Sequence, residues 1–418
     1  MYICKINFTL VWMLLKSEIE KSYKNQKITW KNKPSGLTRK KIENLVLSDN
    51  YILIITGIRR CGKSTLMHQL SQRENEPSAH FNFEDFRIFG FELSDFSKLN
   101  DIIGEQVMCY FFDEIQNVVN WEIYIRELHD KGKKICITGS NAAMMSKELG
   151  TKLTGRNIQI ELFPFSYAEY CQFQKHEWNT QSFNSYLLDG GFPDYLKSKQ
   201  KEYLQQLFKD IIYRDIIVRY GIRNANSMIE IALFLISNTA KEYSLNSIKK
   251  AFGVGSTNSV ANYVQWLEDA YILFSIPRFS PSLKIRAVNP KKVYTIDAGF
   301  AQANSSSFTD DIGRIFENVI FLELRRNHKE IFYFKEQGEC DFIVKKGKEI
   351  CYILQVCVEL HPDNMKREIN GLMEALSYFN KEEGVIVTLN QHDEIYEDGK
   401  KIIILPAHEW LNIIKLGI

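Results

Sequence analysis

Nine consecutive residues carry the sharpest chemical pattern in the chain: Gly57, Ile58, Arg59, Arg60, Cys61, Gly62, Lys63, Ser64 and Thr65. Glycines at both ends of such a loop let the backbone turn tightly and approach a ligand closely. The amides of a loop that runs into a helix then point at phosphate oxygens. Lys63 would add a positive charge against the β- and γ-phosphates, and the Ser64 hydroxyl is placed to ligate Mg²⁺. The plainer alternative is a glycine-rich turn with a helix-capping serine. Some fifty residues on, Asp113 and Glu114 follow four mostly apolar residues. Asp113 would stand beside the Mg²⁺. Glu114 is placed to polarise an attacking water, which marks hydrolysis rather than binding alone. Ser140 and Asn141 end a third apolar run, where a γ-phosphate would be sensed. Arg156 is a candidate arginine finger, acting on its own nucleotide or a neighbour's, against the bland reading of a surface Arg.

These groups need elements that bring them together. Residues 51–56 form a β-rich apolar run, which suits a strand buried on both faces of a parallel sheet, and residues 65–70 read as a helix. Residues 109–112 and 135–138 read as further strands, whose carboxyl ends would carry Asp113 and Ser140 to one edge. The fold class expected is α/β, with a parallel P-loop sheet first. Farther on, Ser244 opens a helix, Gly253-Val254-Gly255 turns, residues 256–267 form a second helix and residues 270–276 a strand. That order outlines a winged helix. The outward positions of its second helix, Asn258, Ser259, Asn262 and Gln265, are polar rather than basic. Lys249, Lys250, Lys284 and Arg286 flank it. Phosphate contacts dominate DNA affinity, so a protein-docking role is favoured over DNA reading.

The combination of residues 55–65, the segment His80-Phe81-Asn82-Phe83-Glu84-Asp85, Phe112-Asp113-Glu114-Ile115-Gln116 and Thr138-Gly139-Ser140 resembles a prokaryotic AAA-type P-loop ATPase family. Glu161-Leu162-Phe163-Pro164-Phe165-Ser166, Gly190-Gly191-Phe192-Pro193, residues 208–224 and residues 291–300 match further signatures of that family. The resemblance spans roughly residues 37–360. It implies ATP binding and hydrolysis with Mg²⁺, and a C-terminal domain of unassigned function. The last portion alternates strands and helices. Glu317 on a helix, Asp341 on a strand and Gln355-Val356-Cys357 on the next follow the layout of a restriction-endonuclease-like core. There the family pattern has Glu-Val-Lys at the third place. Gln is a weaker metal ligand and Cys cannot supply the ammonium, so the expectation is a retained fold with nuclease chemistry lost.

The 418 residues suggest two to four domains. The expected division is a leader at 1–36, the P-loop ATPase domain at 37–173, a helical winged-helix-like region at 174–287 and a degenerate nuclease-like α/β domain at 288–418. Residues 174–182 are the candidate hinge. Hydrophobic residues at 45% and charged ones at 25% exclude a disordered or collagen-like chain. The net charge of +2 neither demands nor excludes nucleic acid. Its basic excess sits in the first fifty residues, with ten Lys and Arg against four Asp and Glu, which reads as a solvated leader. Eight scattered cysteines without a C-x-x-C pair fit reduced, buried thiols in a cytoplasmic protein rather than disulfides or zinc. No apolar run suits a membrane span. The short run at residues 8–15 does not read as a signal peptide, and Met13 is a second candidate start.

The expected function is therefore Mg²⁺-dependent ATP hydrolysis that drives a conformational switch in a C-terminal recognition region. Gly57, Arg59, Arg60, Cys61, Gly62, Lys63, Ser64 and Thr65 would hold the nucleotide, and Ser64 and Asp113 the metal. Glu114, Lys63, Arg156 and Asn141 would take part in catalysis. The partner would be DNA or protein through residues 208–287, and a homo-oligomer is compatible with the chain. The alternatives are a nucleotide-gated binding protein that does not hydrolyse and, behind it, an ATP-regulated nuclease.

Overall fold

The computed structural model describes residues 14–142, 155–305 and 311–416. The second start Met13, Cys4 and the stretch 152–154 before Arg156 lie outside them. Two compact units divide the chain. One takes the chain up to Gly57 and then Gly62–Leu162; the other takes Ile58–Cys61 and the chain from Phe163 onward.

The first unit is built on five parallel strands: β1 (Ile52–Thr56), β2 (Ser78–Asn82), β3 (Cys109–Asp113), β4 (Lys134–Gly139) and β5 (Asn157–Glu161). Their order across the sheet is β2-β3-β4-β1-β5, with every pairing parallel. The runs Ile-Leu-Ile-Ile in β1 and Cys-Tyr-Phe-Phe in β3 are buried along their whole length, as strands covered on both faces must be. β1 sits between β4 and β5, with β3 beyond β4. Thr56 is level with Gly139, and Phe112 with Ile137, so the carboxyl ends of β1, β3 and β4 share one edge. Helices α2 (Lys63–Ser71), α3 (Asp95–Ile103) and α4 (Trp121–Asp130) connect the strands.

The segment expected to be a solvated leader contains helix α1 (Lys16–Lys31), preceding α2 in the chain. Its Ile19 and Tyr23 join the core of the unit. Ser22 Oγ donates to Asp85 at 2.7 Å, and Gln26 Nε2 donates to the Asn82 carbonyl at 3.2 Å. One face of the helix is thus apolar and hydrogen-bonding, while Lys21, Lys24, Lys27 and Lys31 are exposed on the other. Counting charges had registered only the second face.

The second unit holds a three-stranded sheet, β6 (Glu242–Tyr243), β8 (Lys291–Thr295) and β7 (Leu273–Pro277), in that order. A six-stranded sheet runs β13-β14-β12-β11-β10-β9, with β9 at Glu330–Lys335, β10 at Glu339–Lys346 and β11 at Glu349–Val356. The rest of that sheet is β12 (Glu383–Thr388), β13 (Asp393–Glu397) and β14 (Lys400–Pro406). The helices Leu245–Ala251 and Thr257–Asp269, with the turn at Gly253, come in the expected order before β7. Ser244 and Ser256 cap them, accepting from Ser247 N at 3.1 Å and Ser259 N at 3.0 Å.

The boundary between units falls near Phe163, ahead of the expected hinge. Phe163 stacks with Phe274 at 5.8 Å, and Tyr167 packs edge-on to Phe183 at 5.3 Å, so this aromatic stretch belongs to the second unit's core. Within the hinge candidate, Trp178 Nε1 donates to the His408 carbonyl and Thr180 opens a helix. The polar composition of this stretch reflects its exposed side chains and not a joint. Among the described residues no helix is long and apolar enough to cross a membrane.

Candidate nucleotide site

The loop between β1 and α2 turns through positive φ at Gly57, Arg60 and Gly62. Gly62 caps α2 with φ 104°, a conformation that side-chain-bearing residues rarely adopt. Lys63 is almost wholly buried. Its ammonium folds back onto the Gly57 carbonyl at 3.0 Å and lies 3.4 Å from Glu114 Oε1. Thr65 N donates to the Gly62 carbonyl at 3.1 Å, and Cys61 N to the Ile58 carbonyl at 3.4 Å. Arg60 is exposed. Arg59 instead forks onto Asp215, at 2.5 Å from Nε and 2.9 Å from Nη2, which ties Ile58–Cys61 into the second unit. Asp215 lies on the π-helical stretch Ile211–Val218.

Asp113 ends β3 fully buried, hydrogen-bonded by the hydroxyls of Ser64 and Thr138. Burial, with the charge of Glu114 beside it, raises its pKa above the ordinary carboxylate value. The two hydroxyls and Lys33 act the other way. Glu114 has φ 51°, a strained left-handed geometry for a residue with a side chain. Thr138 Oγ1 accepts its backbone N–H at 3.0 Å, and Gln116 Nε2 binds its carboxylate. Gln116 Nε2 also lies 3.4 Å from Ser140 Oγ, and Asn141 is fully buried at the end of the same strand.

The structure therefore brings Lys63, Ser64, Asp113, Glu114 and Ser140 to one sheet edge. It does not bring Arg156 there. The Arg156 carbonyl accepts from Ile52 N at 2.8 Å at the amino end of β1, and its guanidinium binds Asp130 at 2.5 Å. The parallel register sets that end a strand's length from the loop.

Three residues around the site were not read from the sequence. Thr138 bonds both acidic neighbours, and Gln116 holds Glu114. Each stands within two residues of a group that was singled out, and that proximity was the available signal. Lys33, beyond α1, feels the charge of Asp113, which raises its pKa while burial lowers it, and it has no local signature. Glu317, Asp341 and Gln355 lie on the expected helix and strands of the second unit. Gln355, however, spends its amide on Asp341 N (3.0 Å) and Glu368 Oε2 (2.5 Å).

Residues 49–171 match the family model described as an AAA domain, and residues 180–311 match a domain of unknown function, DUF8612. An uncharacterized protein of Methanocaldococcus jannaschii, MJ1544, is 32% identical over 398 residues, covering 87% of this chain and 89% of that protein. An uncharacterized protein of Haemophilus influenzae is 27% identical, covering 87% of this chain and 94% of that one. Among solved structures, the RuvB Holliday junction branch migration motor of Thermotoga maritima is 14% identical with a TM-score of 0.31, covering 63% of this chain and 88% of that one. The chain belongs to the family of the Methanocaldococcus jannaschii protein MJ1544, with an AAA-type P-loop domain at residues 49–171.

Proposed function

We propose that this protein binds ATP with Mg²⁺ and hydrolyses it, and that turnover switches the conformation of a recognition region at residues 208–287. The observation that carries the reading is the convergence of Lys63, Ser64, Asp113 and Glu114 on one sheet edge. The donor set fits the ligand. The amides at the start of α2 and the Lys63 ammonium suit phosphate oxygens. Ser64 and Asp113 would hold Mg²⁺, which supplies charge neutralisation at the phosphates when bound. A buried Asp113 with a raised pKa is the group such a cation would return to its charged form. Glu114 would orient the attacking water once phosphate draws Lys63 away from it.

The switch reading rests on Arg59, which belongs to the phosphate-binding loop yet is forked onto Asp215 in the 208–224 segment. The polar, uncharged outer face of Thr257–Asp269 favours a protein as the partner over DNA.

Phosphate release measured with Mg²⁺-ATP tests the enzyme reading. Lys63→Ala should abolish it. Glu114→Gln should cut it by about 10²-fold or more while nucleotide binding, read by equilibrium dialysis, survives. Equal turnover in the wild type and both variants rejects it. Binding without turnover in the wild type would instead favour the nucleotide-gated alternative, for which the resting engagement of Glu114 by Lys63 and Gln116 speaks.

A further inference from the structure

The second unit holds a cluster of charge that the nucleotide reading does not use. Lys292, on β8, is 3% exposed. Its ammonium lies 2.9 Å from Asp341 Oδ1, 3.2 Å from Glu317 Oε1 and 2.8 Å from Glu339 Oε1. Those carboxylates come from β10 and from the helix Ile312–Asn327, so a single side chain joins three elements. Tyr294 OH donates to Glu317 at 2.7 Å, Val356 N donates to Asp341 Oδ2 at 3.0 Å, and Lys335 pairs with Glu339 at 3.2 Å.

Glu317 and Asp341 are the two carboxylates of the restriction-endonuclease-like layout. In such a layout a divalent cation would sit between them. Here that place is taken. Two buried carboxylates that stay charged need a cation, and the one both of them meet is the ammonium of Lys292 from β8, a strand of the other sheet. The third residue of the layout is withdrawn as well, since both polar atoms of Gln355 are engaged elsewhere. Cys357, where a lysine would stand, gives its thiol to the Glu359 carbonyl at 3.1 Å.

We infer that the Lys292 ammonium is the permanent cation of this carboxylate site, standing in for a divalent metal ion and closing the site to one. The consequence is a second unit that keeps the architecture of a metal-dependent nuclease core while needing no metal to fold and offering none to a substrate. Lys292 thus acts as a lock, and its removal should expose a divalent-cation site.

The test uses the full chain without nucleotide, so that the phosphate-binding loop takes up no metal with ATP. Mn²⁺ is the probe, followed by electron paramagnetic resonance of the free ion and by thermal unfolding. Wild-type protein should show no Mn²⁺ binding that Asp341→Asn removes, and an unchanged Tm with Mn²⁺ or EDTA. Lys292→Met keeps the bulk of the side chain and removes its charge. It should lower Tm by roughly 10 °C in EDTA, regain most of that with millimolar Mn²⁺, and bind one additional ion. Lys292→Met combined with Asp341→Asn should fold without Mn²⁺ and lose the added ion. Wild-type Mn²⁺ binding that depends on Asp341 overturns the inference. So does a Lys292→Met chain that gains no ion, or one that stays unfolded at every Mn²⁺ concentration while the double variant folds.

Discussion

Thr138 is the residue on which the geometry of the candidate nucleotide site turns. It is fully buried, and its one hydroxyl serves two acidic neighbours: it hydrogen-bonds the Asp113 carboxylate and accepts the Glu114 N–H at 3.0 Å. Glu114 sits in left-handed backbone geometry, which the surroundings must hold in place. Valine has nearly the shape of threonine without the hydroxyl, so Thr138→Val isolates the two hydrogen bonds. The buried Glu114 N–H then lacks its acceptor, at about 1–3 kcal/mol. Steady-state phosphate release should fall roughly 10²-fold through misplacement of Glu114, with ATP affinity within a few-fold of wild type. Undiminished release would show that Thr138 does not position Glu114. Most of this site was legible because its residues are bound to local sequence: the loop, its strand and the Asp-Glu pair each announce themselves within ten residues. The influence of Lys33 on Asp113 was not legible, since it acts between residues eighty positions apart in the chain. Nor was the location of Arg156, which depends on strand register and not on its neighbours.

At the scale of elements, the signatures that carried the family resemblance in the second half turn out to be a packing joint. Phe165 N donates to the Gly191 carbonyl at 2.7 Å, and Asp297 accepts from Gly191 N at 2.5 Å and Phe300 N at 2.9 Å. A Cβ on Gly191 would lie 2.1 Å from the Phe165 carbonyl oxygen, so only glycine allows the approach. Three segments more than a hundred residues apart from end to end thus meet at one joint, Phe165 on the Gly191 carbonyl and Gly191 on the buried Asp297 carboxylate. The order of strands in each sheet and the cation at Lys292 were hidden for the same reason: long-range pairing leaves no periodic trace. Burial pushes the Asp297 pKa up to about 6, against the pull of its backbone donors. A carboxyl whose pKa is raised on folding holds its proton more tightly in the native state. Its contribution to stability is complete below about pH 4 and is lost as pH rises through about 6, a span worth about 3 kcal/mol. Asp297→Asn should remove that slope from the difference between the two stability curves. It should also cost about 1–3 kcal/mol at pH 7, because the two N–H donors bind different oxygens of Asp297 and one of them would face the amide NH2 of Asn. Denaturant unfolding of both proteins from pH 4 to 7 measures this, and parallel curves would count against a titrating Asp297.

For the whole molecule the net charge of +2 conceals an uneven surface. Lys21, Lys24, Lys27 and Lys31 line the exposed face of α1, whereas the helix Thr257–Asp269 presents Asn258, Asn262 and Gln265. Near that helix Lys249, Lys250 and Lys284 remain. Arg286 is occupied, bonding the Ser280 carbonyl at 2.5 Å and lying 5.1 Å from the Phe332 ring centre. Each phosphate neutralised on duplex DNA contributes about −0.9 to the slope of log affinity against log salt. With Arg278 paired to Glu336, the three lysines of residues 244–287 limit the slope from that segment to about −3, which is too little counterion release for duplex affinity at physiological salt without base-specific contacts. The expected result by fluorescence anisotropy is weak duplex binding with that slope, and loss of about two units of it in Lys249→Gln combined with Lys250→Gln. A slope near −6 in wild type, or one untouched by the double substitution, would move any nucleic-acid contact off residues 244–287, to Arg214 and Arg223 or to α1. Four glutamines on the α1 stripe that flatten the slope would then place the contact on α1 and leave the recognition region with protein as its remaining partner class; an unchanged slope would leave it to Arg214 and Arg223.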